Sequence, residues 1–401
     1  MVKEEQKYNI ICLSNQIWDF PLWTNKKHVM SRLPKLGHNV LFVDPPINTG
    51  RLFLRHLLQG KWSLKRLFTK IKKTEEGVTV FSPLNSHPIS QKYSVNHAEK
   101  INKIADRIFK DKEKKTVLWI YHVEIKGLEN YLKHVKHDFL VYDCVDNYEG
   151  FPKYNTPEKK KWIQDQEEML TTRANIVFST TPGLMERLKK YNPKTYFTPN
   201  VGDYERFFDI KNKGFEVPED IKDIKKPIVA FTGAVDEYKF DKELFQKIAE
   251  ENPEYSFVII GPMALKDRGS SKKELGFENL NNVYFLGTKD YKDLPKYLAY
   301  FDEMIIPYQL NDYTVGGCFP VKFLDYLAVG LPTVVTDLPT YVPFDTVCYV
   351  SKSYDEFSTN VKKALEEDSD MRIKQRQEVA KVQNWDGKIS NMLNLISENM
   401  K

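Results

Sequence analysis

The sequence predicts an α/β protein made of two parallel-sheet domains, and three observations carry that prediction. Short apolar, β-branched runs alternate with longer helical patterns from end to end, the rhythm of strands joined by crossover helices. The chain has 401 residues, more than one hydrophobic core usually serves. The rhythm lapses over Pro199–Pro227, which is strand-poor and rich in charge and turn residues, so the domain boundary falls there.

Taken in order, the first domain, residues 1–199, has strands expected at Tyr8–Leu13, Asn39–Val43, Val78–Phe81, Thr116–Tyr121, Phe139–Asp143, Ile176–Thr180 and Lys194–Thr198. Residues 200–226 read as the linker. The second domain, 227–383, repeats the pattern with Ile228–Thr232, Ser256–Ile260, Val283–Leu286, Glu303–Ile306 and Thr333–Thr336. Met371–Lys401 reads as helix broken near Asn384-Trp385-Asp386-Gly387, with Asp386 as the N-cap of the last segment, 384–401. Ile389, Met392, Leu393 and Ile396 then form an apolar stripe that can cross back to pack on the first domain.

Composition narrows the class. An apolar share of 41% and a charged share of 29% are those of a globular chain and exclude disorder as the dominant state. No stretch reaches the ~18 uninterrupted apolar residues of a membrane span, and Met1–Lys7 lacks the apolar core of a secretory signal. The expectation is a cytoplasmic protein. Cys12, Cys144, Cys318 and Cys348 lie far apart and read as reduced core thiols, neither a disulfide framework nor a zinc site.

The densest chemistry lies in Tyr313–Asp337, YTVGGCFPVKFLDYLAVGLPTVVTD. Gly316-Gly317 leads to Pro320 at an expected first helical position, and Gly330 then Pro332 end the helix. Its first-turn amides and the positive end of its dipole sit beside Lys322, an arrangement suited to phosphate. Asp325, one turn on, shares that face and can accept from sugar hydroxyls. An ordinary amphipathic helix explains Val321, Leu324, Leu327 and Ala328, but not the doubled glycine, the lysine and the carboxylate. Ligands of open α/β sheets bind beyond the carboxyl ends of the strands, which adds Gly233, Gly261, Thr288 and Tyr308 to the candidates.

With these residues in view the sequence resembles GT-B glycosyltransferases of the group 1 type, particularly those of teichuronic-acid biosynthesis. The matching pieces are Ile17–Pro46, VYDCVDNYEG at Val141–Gly150, FSTTPGLMERL at Phe178–Leu188, TPNVGDYERF at Thr198–Phe207, FTGAVD at Phe231–Asp236, the stretch above and Asn384–Asp386. The resemblance implies two Rossmann-like domains facing across a cleft, a nucleotide sugar held by the second and the acceptor by the first. It implies that Lys322 and the amides after Gly316-Gly317 bind the donor pyrophosphate, and that Asp325 stands where such enzymes place a ribose-binding glutamate. The family pattern has two glutamates eight residues apart; here the partner position is Gly317. Val141–Gly150 also resembles the motif of xanthan-pathway glucuronosyltransferases, whose catalytic aspartate matches Asp146. The missing first glutamate favours an inverting displacement with Asp146 as general base. The alternative is that Asp146-Asn147 caps the helix that follows. His122 and Glu124, after Val117–Tyr121, are substrate-contact candidates. Asp368-Ser369-Asp370 has the letters of a metal motif but reads as a helix-to-helix turn, so neither metal nor cofactor is expected beyond the nucleoside diphosphate sugar itself. A nucleotide-sugar epimerase and a non-catalytic scaffold are the rivals on the same fold.

Arg51–Lys73 holds eight Lys or Arg and no acidic residue. Arg51, Arg55, Lys61, Lys65, Arg66, Lys70, Lys72 and Lys73 interleave with Trp62 and other apolar residues, the pattern of an interfacial helix pair broken at Gly60. With no nucleic-acid fold alongside, the expected partner is the anionic inner face of the cell membrane, which would bring the protein to a lipid-linked or glycan acceptor.

Overall fold

A computed structural model describes residues 6–20, 22–48, 57–58, 70–85, 91–262 and 275–400. The chain divides into two compact units, Met1–Thr198 with Ile389–Lys401, and Pro199–Lys388.

The first unit contains β1 (Asn9–Leu13), β2 (Asn39–Val43), β3 (Ile47–Asn48), β4 (Ile71–Lys73), β5 (Thr79–Phe81), β6 (Leu84–Asn85), β7 (Thr116–Ile120), β8 (Phe139–Cys144), β9 (Ile176–Ser179) and β10 (Thr195–Phe197). Eight of them form one sheet in the order β10-β9-β8-β7-β1-β2-β5-β4, while β3 and β6 pair separately. The pairs are parallel except β4 against β5. Strands β1 and β8 are buried throughout, which is why they read as continuous apolar runs. The apolar stripe Ile389, Met392 and Ile396 of the last helix, Trp385–Asn399, is buried, and Asn399 Nδ2 donates to Tyr196 Oη at 3.2 Å.

The second unit contains β11 (Ile228–Thr232), β12 (Ser256–Ile260), β13 (Val283–Phe285), β14 (Glu303–Ile306), β15 (Thr333–Thr336) and β16 (Tyr349–Ser351), all parallel, in the order β13-β12-β11-β14-β15-β16. The stretch expected as a linker packs onto this sheet's helices: Asn200 Nδ2 donates to Phe319 O at 2.7 Å and Tyr297 Oη to Asp220 at 3.1 Å. In each unit the chain starts in mid-sheet and reverses direction once, between β1 and β7 and between β11 and β14. Loops diverge above such a reversal, leaving the crevice in which ligands of these sheets bind.

Three expectations need correction. Ile71–Lys73 is an antiparallel strand, not the end of an interfacial helix, because it closes the sheet edge against β5; Lys72 is spent on Asp19, at 2.5 Å. Pro320 is the N-cap of Val321–Val329 instead of its first helical residue. Asp386 lies inside Trp385–Asn399, whose first turn is closed by Asn384 Oδ1 accepting from Gly387 N at 2.8 Å. Arg51, Arg55, Lys61, Trp62, Lys65 and Arg66 lie outside the described residues.

Glu303 opens β14 with its side chain fully buried and neither carboxylate oxygen hydrogen-bonded. Burial drives its pKa well above the usual carboxylate range. The folded chain then keeps this proton at pH values where the unfolded chain has lost it, so stability falls as pH rises above the unfolded value. Glu303→Gln removes that dependence. Urea unfolding should show the variant's advantage widening by about 1–2 kcal/mol between about pH 5 and pH 7, and parallel profiles for the two proteins would refute the protonated form.

Candidate functional site

In the second unit, Gly233 follows β11, Gly261 follows β12 and Tyr308 lies two residues beyond β14. Because β11 and β14 flank the reversal, Gly233 and Tyr308 come to the crevice from both sides. The helix Val321–Val329 then delivers Lys322 from its first turn. Lys322 Nζ lies 4.0 Å from the ring centroid of Phe231 and donates to Tyr308 Oη at 3.2 Å. Neither glycine can be replaced without displacing this group. A Cβ on Gly233 would stand 2.0 Å from Lys322 Nζ, and one on Gly261 would stand 1.8 Å from Gly233 O; both residues have positive φ, 139° and 155°. Gly233→Ala should therefore keep the β11–β12 pairing but weaken nucleoside diphosphate binding by about tenfold or more, on the scale of one charge-assisted contact. Calorimetric titration checks it; wild-type affinity in a folded variant would separate Gly233 from the ligand.

Two residues that the sequence did not single out complete this corner. Lys239 Nζ pairs with Asp236 at 2.7 Å. Burial opposes the charge of Lys239, but Tyr308 and Asp236 outweigh it and its pKa is raised. Burial, reinforced by the like charge of Lys239, pushes Lys322 down to about 7, with Cys318 and Asp236 opposing the shift. A cation so desolvated is stabilised by an arriving anion. The signal lay in FTGAVDEYK, where Asp236 and Lys239 are three apart just after a strand-end glycine.

The other second-unit candidates sit less directly. Asp325 is buried, and its Oδ1 accepts from Asp203 N at 2.7 Å. Gly316 closes the short helix Asp312–Val315 in right-handed conformation, and neither Gly316 nor Gly317 has positive φ. Gly317 is buried and Gly316 exposed. Of the first-turn amides, that of Phe323 turns back to Pro320 O at 3.1 Å. Thr288 is exposed on the loop after β13. Asp368 pairs with Arg376, and Ser369 caps the helix Asp370–Val382 by accepting from Arg372 N. Among the described residues no group of three or more His, Cys, Asp or Glu side chains could hold a metal ion.

In the first unit a polar cluster occupies the ends of β7 and β8. Asp146 lies in the bend after β8. The next turn, Tyr148–Gly150, has Asn147 as N-cap with no side-chain bond, and the helix Pro157–Arg173 is capped by Thr156. His122 is buried with its Nδ1 accepting from Glu124 N at 2.8 Å; burial, with Lys26 and Lys153 nearby, holds its pKa well below the usual histidine range, so it is neutral. Glu124 pairs with Lys153, and Tyr148 Oη donates to Tyr121 O. Lys26 is buried beside these strand ends, its pKa lowered by burial and supported by Asp146. The sequence carried no sign of Lys26 or Lys153, since each is an ordinary helix or turn lysine until the strands bring it inward.

Comparison with known proteins adds the following. The model of the family described as Glycosyl transferases group 1 matches residues 215–381. A Bacillus subtilis (strain 168) protein named teichuronic acid biosynthesis glycosyltransferase TuaH is 26% identical over 261 residues. That match covers 62% of this chain and 64% of the relative, less than two thirds of its length. Among solved structures, sucrose-phosphate synthase from Thermosynechococcus elongatus superposes with a TM-score of 0.68 at 13% identity, over 98% of each chain. Anabaena HepE, in complex with UDP and glucose, has a TM-score of 0.67 at 15% identity, over 97% of this chain and 99% of that one. The catalytic domain of Arabidopsis thaliana starch synthase IV, bound to ADP and acarbose, gives 0.62 at 11%, over 98% and 100%. At these identities the likeness speaks for the fold.

Proposed function

The chain carries a group 1 glycosyltransferase domain on a GT-B fold, and from that premise we propose that it moves a sugar from a nucleoside diphosphate sugar to a hydroxyl of a lipid-linked or polysaccharide acceptor in cell-surface glycan synthesis. The observation that carries this reading is the corner made by Gly233, Gly261, Tyr308 and Lys322, where a desolvated ammonium and side-chain-free backbone meet at a sheet reversal. Lys322 holds the diphosphate and offsets the charge that develops on it as the sugar leaves. Asp325 takes the ribose, with Gly316, Gly317 and Thr288 along the same donor surface. In the first unit Asp146 takes the proton of the acceptor hydroxyl, and His122 and Glu124 contact the acceptor. UDP is the first nucleotide to test, since it is the one bound in Anabaena HepE.

The acceptor assignment rests on two supports: the teichuronic-acid name of the Bacillus subtilis relative and the basic, apolar-interleaved stretch Arg51–Lys73. That stretch would hold the protein on anionic lipid, with Lys70 and Lys73 contributing and Lys72 already paired to Asp19. Among the described residues no helix is long and apolar enough to cross a membrane.

One experiment tests the reading. Turnover of UDP-sugars is followed with and without lipid extracts presented in anionic or neutral vesicles, and the protein is sedimented from the same mixtures. Donor consumption that requires an acceptor, together with salt-sensitive recovery on anionic vesicles, is expected. Donor conversion without acceptor would replace transfer with epimerisation, absence of any donor turnover would favour a scaffold, and equal recovery from both vesicle types would remove the membrane.

A further inference from the structure

Away from the donor corner, the second unit has a polar cavity of about 210 Å³ beside β16. Asp345, Lys363, Glu367, Arg372, Gln375 and Arg376 are among its lining residues. Arg372 and Arg376 are four apart on the helix Asp370–Val382, so both guanidinium groups lie on one face. Arg376 is only 2% exposed, yet its bonds do not exhaust it. Nε donates to Gly330 O at 2.9 Å and Nη2 pairs with Asp368, which leaves Nη1 without a partner among the described residues. Arg372 donates to Tyr349 Oη at 2.9 Å and to Glu367 Oε2 at 3.1 Å, and Lys363 lies 3.9 Å from the same carboxylate.

Three cations thus share one cavity, and two of them lean on a single carboxylate. Like charges at this helical spacing repel unless anions compensate them, and guanidinium forks match the oxygens of a phosphate better than any other common anion. The rest of the lining is not cationic. Asp345, Glu367, Gln375 and Thr346 offer the acceptors and donors that hydroxyl groups need. We propose that this cavity is a second ligand site, distinct from the donor corner, and that it takes a phosphorylated sugar: the phosphate lies against Arg372, Arg376 Nη1 and Lys363, and the hydroxyls against the carboxylates and amide. The site needs neither transferase activity nor the donor.

The test is calorimetric titration of the full chain with a hexose 6-phosphate, inorganic phosphate and the neutral hexose. The sugar phosphate binds, phosphate binds more weakly, and the neutral hexose does not bind. Arg372→Met and Lys363→Met, each at a half-exposed side chain, lower the affinity by about tenfold, the scale of one charge-assisted contact, with the melting temperature unchanged. Lys322→Ala leaves it as it is. Binding that survives both cavity substitutions but is lost with Lys322→Ala would put the ligand in the donor corner and overturn the proposal, as would absence of binding. Equal affinity for inorganic phosphate would overturn the sugar assignment.

Discussion

Replacing Asp146 by Asn lowers turnover by about a hundredfold or more, the range a positioned general base contributes, while nucleoside diphosphate affinity stays at its wild-type value. The two halves of this expectation come from different parts of the chain. Asp146 stands after β8 in the first unit, whereas Lys322, Gly233 and Tyr308 belong to the second. The rival role, a helix cap, has no support in the local geometry, because Asn147 is the N-cap of the following turn and makes no side-chain bond. Asparagine keeps the size and hydrogen-bonding shape of the side chain, so only the ability to accept a proton is removed. Steady-state turnover and calorimetric donor binding on the same preparation test it, and wild-type turnover would strip Asp146 of its role. Inversion at the product anomeric carbon, read by NMR, is the companion result.

Nucleoside diphosphate affinity falls by about a hundredfold between about pH 7 and pH 9 in the wild-type protein, and hardly at all in Lys322→Arg. In the empty site burial holds Lys322 to about 7, so the ammonium is already losing its proton at neutral pH. A diphosphate beside it favours the charged form and raises the pKa again. Binding therefore takes up a proton wherever the pH exceeds the empty-site value, and each pH unit above it weakens binding by about tenfold until the bound-state pKa is reached. The ligand adds no slope of its own there, since a terminal phosphate completes its ionisation near pH 6. Arginine is charged throughout. At pH 7, Lys322→Ala costs about 1.5–3 kcal/mol of binding. Titration in buffers of different ionisation heat measures the proton uptake directly; a pH-independent affinity with no uptake would take Lys322 out of contact with the phosphate.

The sequence by itself determined which segments become strands and which strand ends carry chemistry. Asn39–Val43, Ile228–Thr232, Ser256–Ile260, Glu303–Ile306 and Thr333–Thr336 are strands at the boundaries their apolar runs predict, because a parallel strand covered on both faces must be apolar throughout. Gly330 ends its helix in left-handed conformation as its position implies. The short edge strands β3, β4, β6 and β16 left no such mark, since an edge strand needs little apolar surface and its pairing is supplied by a neighbour distant in sequence. The site divides in the same way. Gly233, Gly261, Tyr308 and Lys322 were legible as residues at strand ends and a helix start, but their convergence was not, because the reversal of strand order between β11 and β14 is a property of the assembled sheet. Only the tertiary structure decided that Lys322 is desolvated against Phe231, that Lys239 shares its corner, that Asp325 gives an oxygen to the Asp203 amide and that Lys26 is buried near Asp146. Charge state and hydrogen-bond partners depend on what surrounds a group in space, and along the chain these groups are separated by tens to more than a hundred residues.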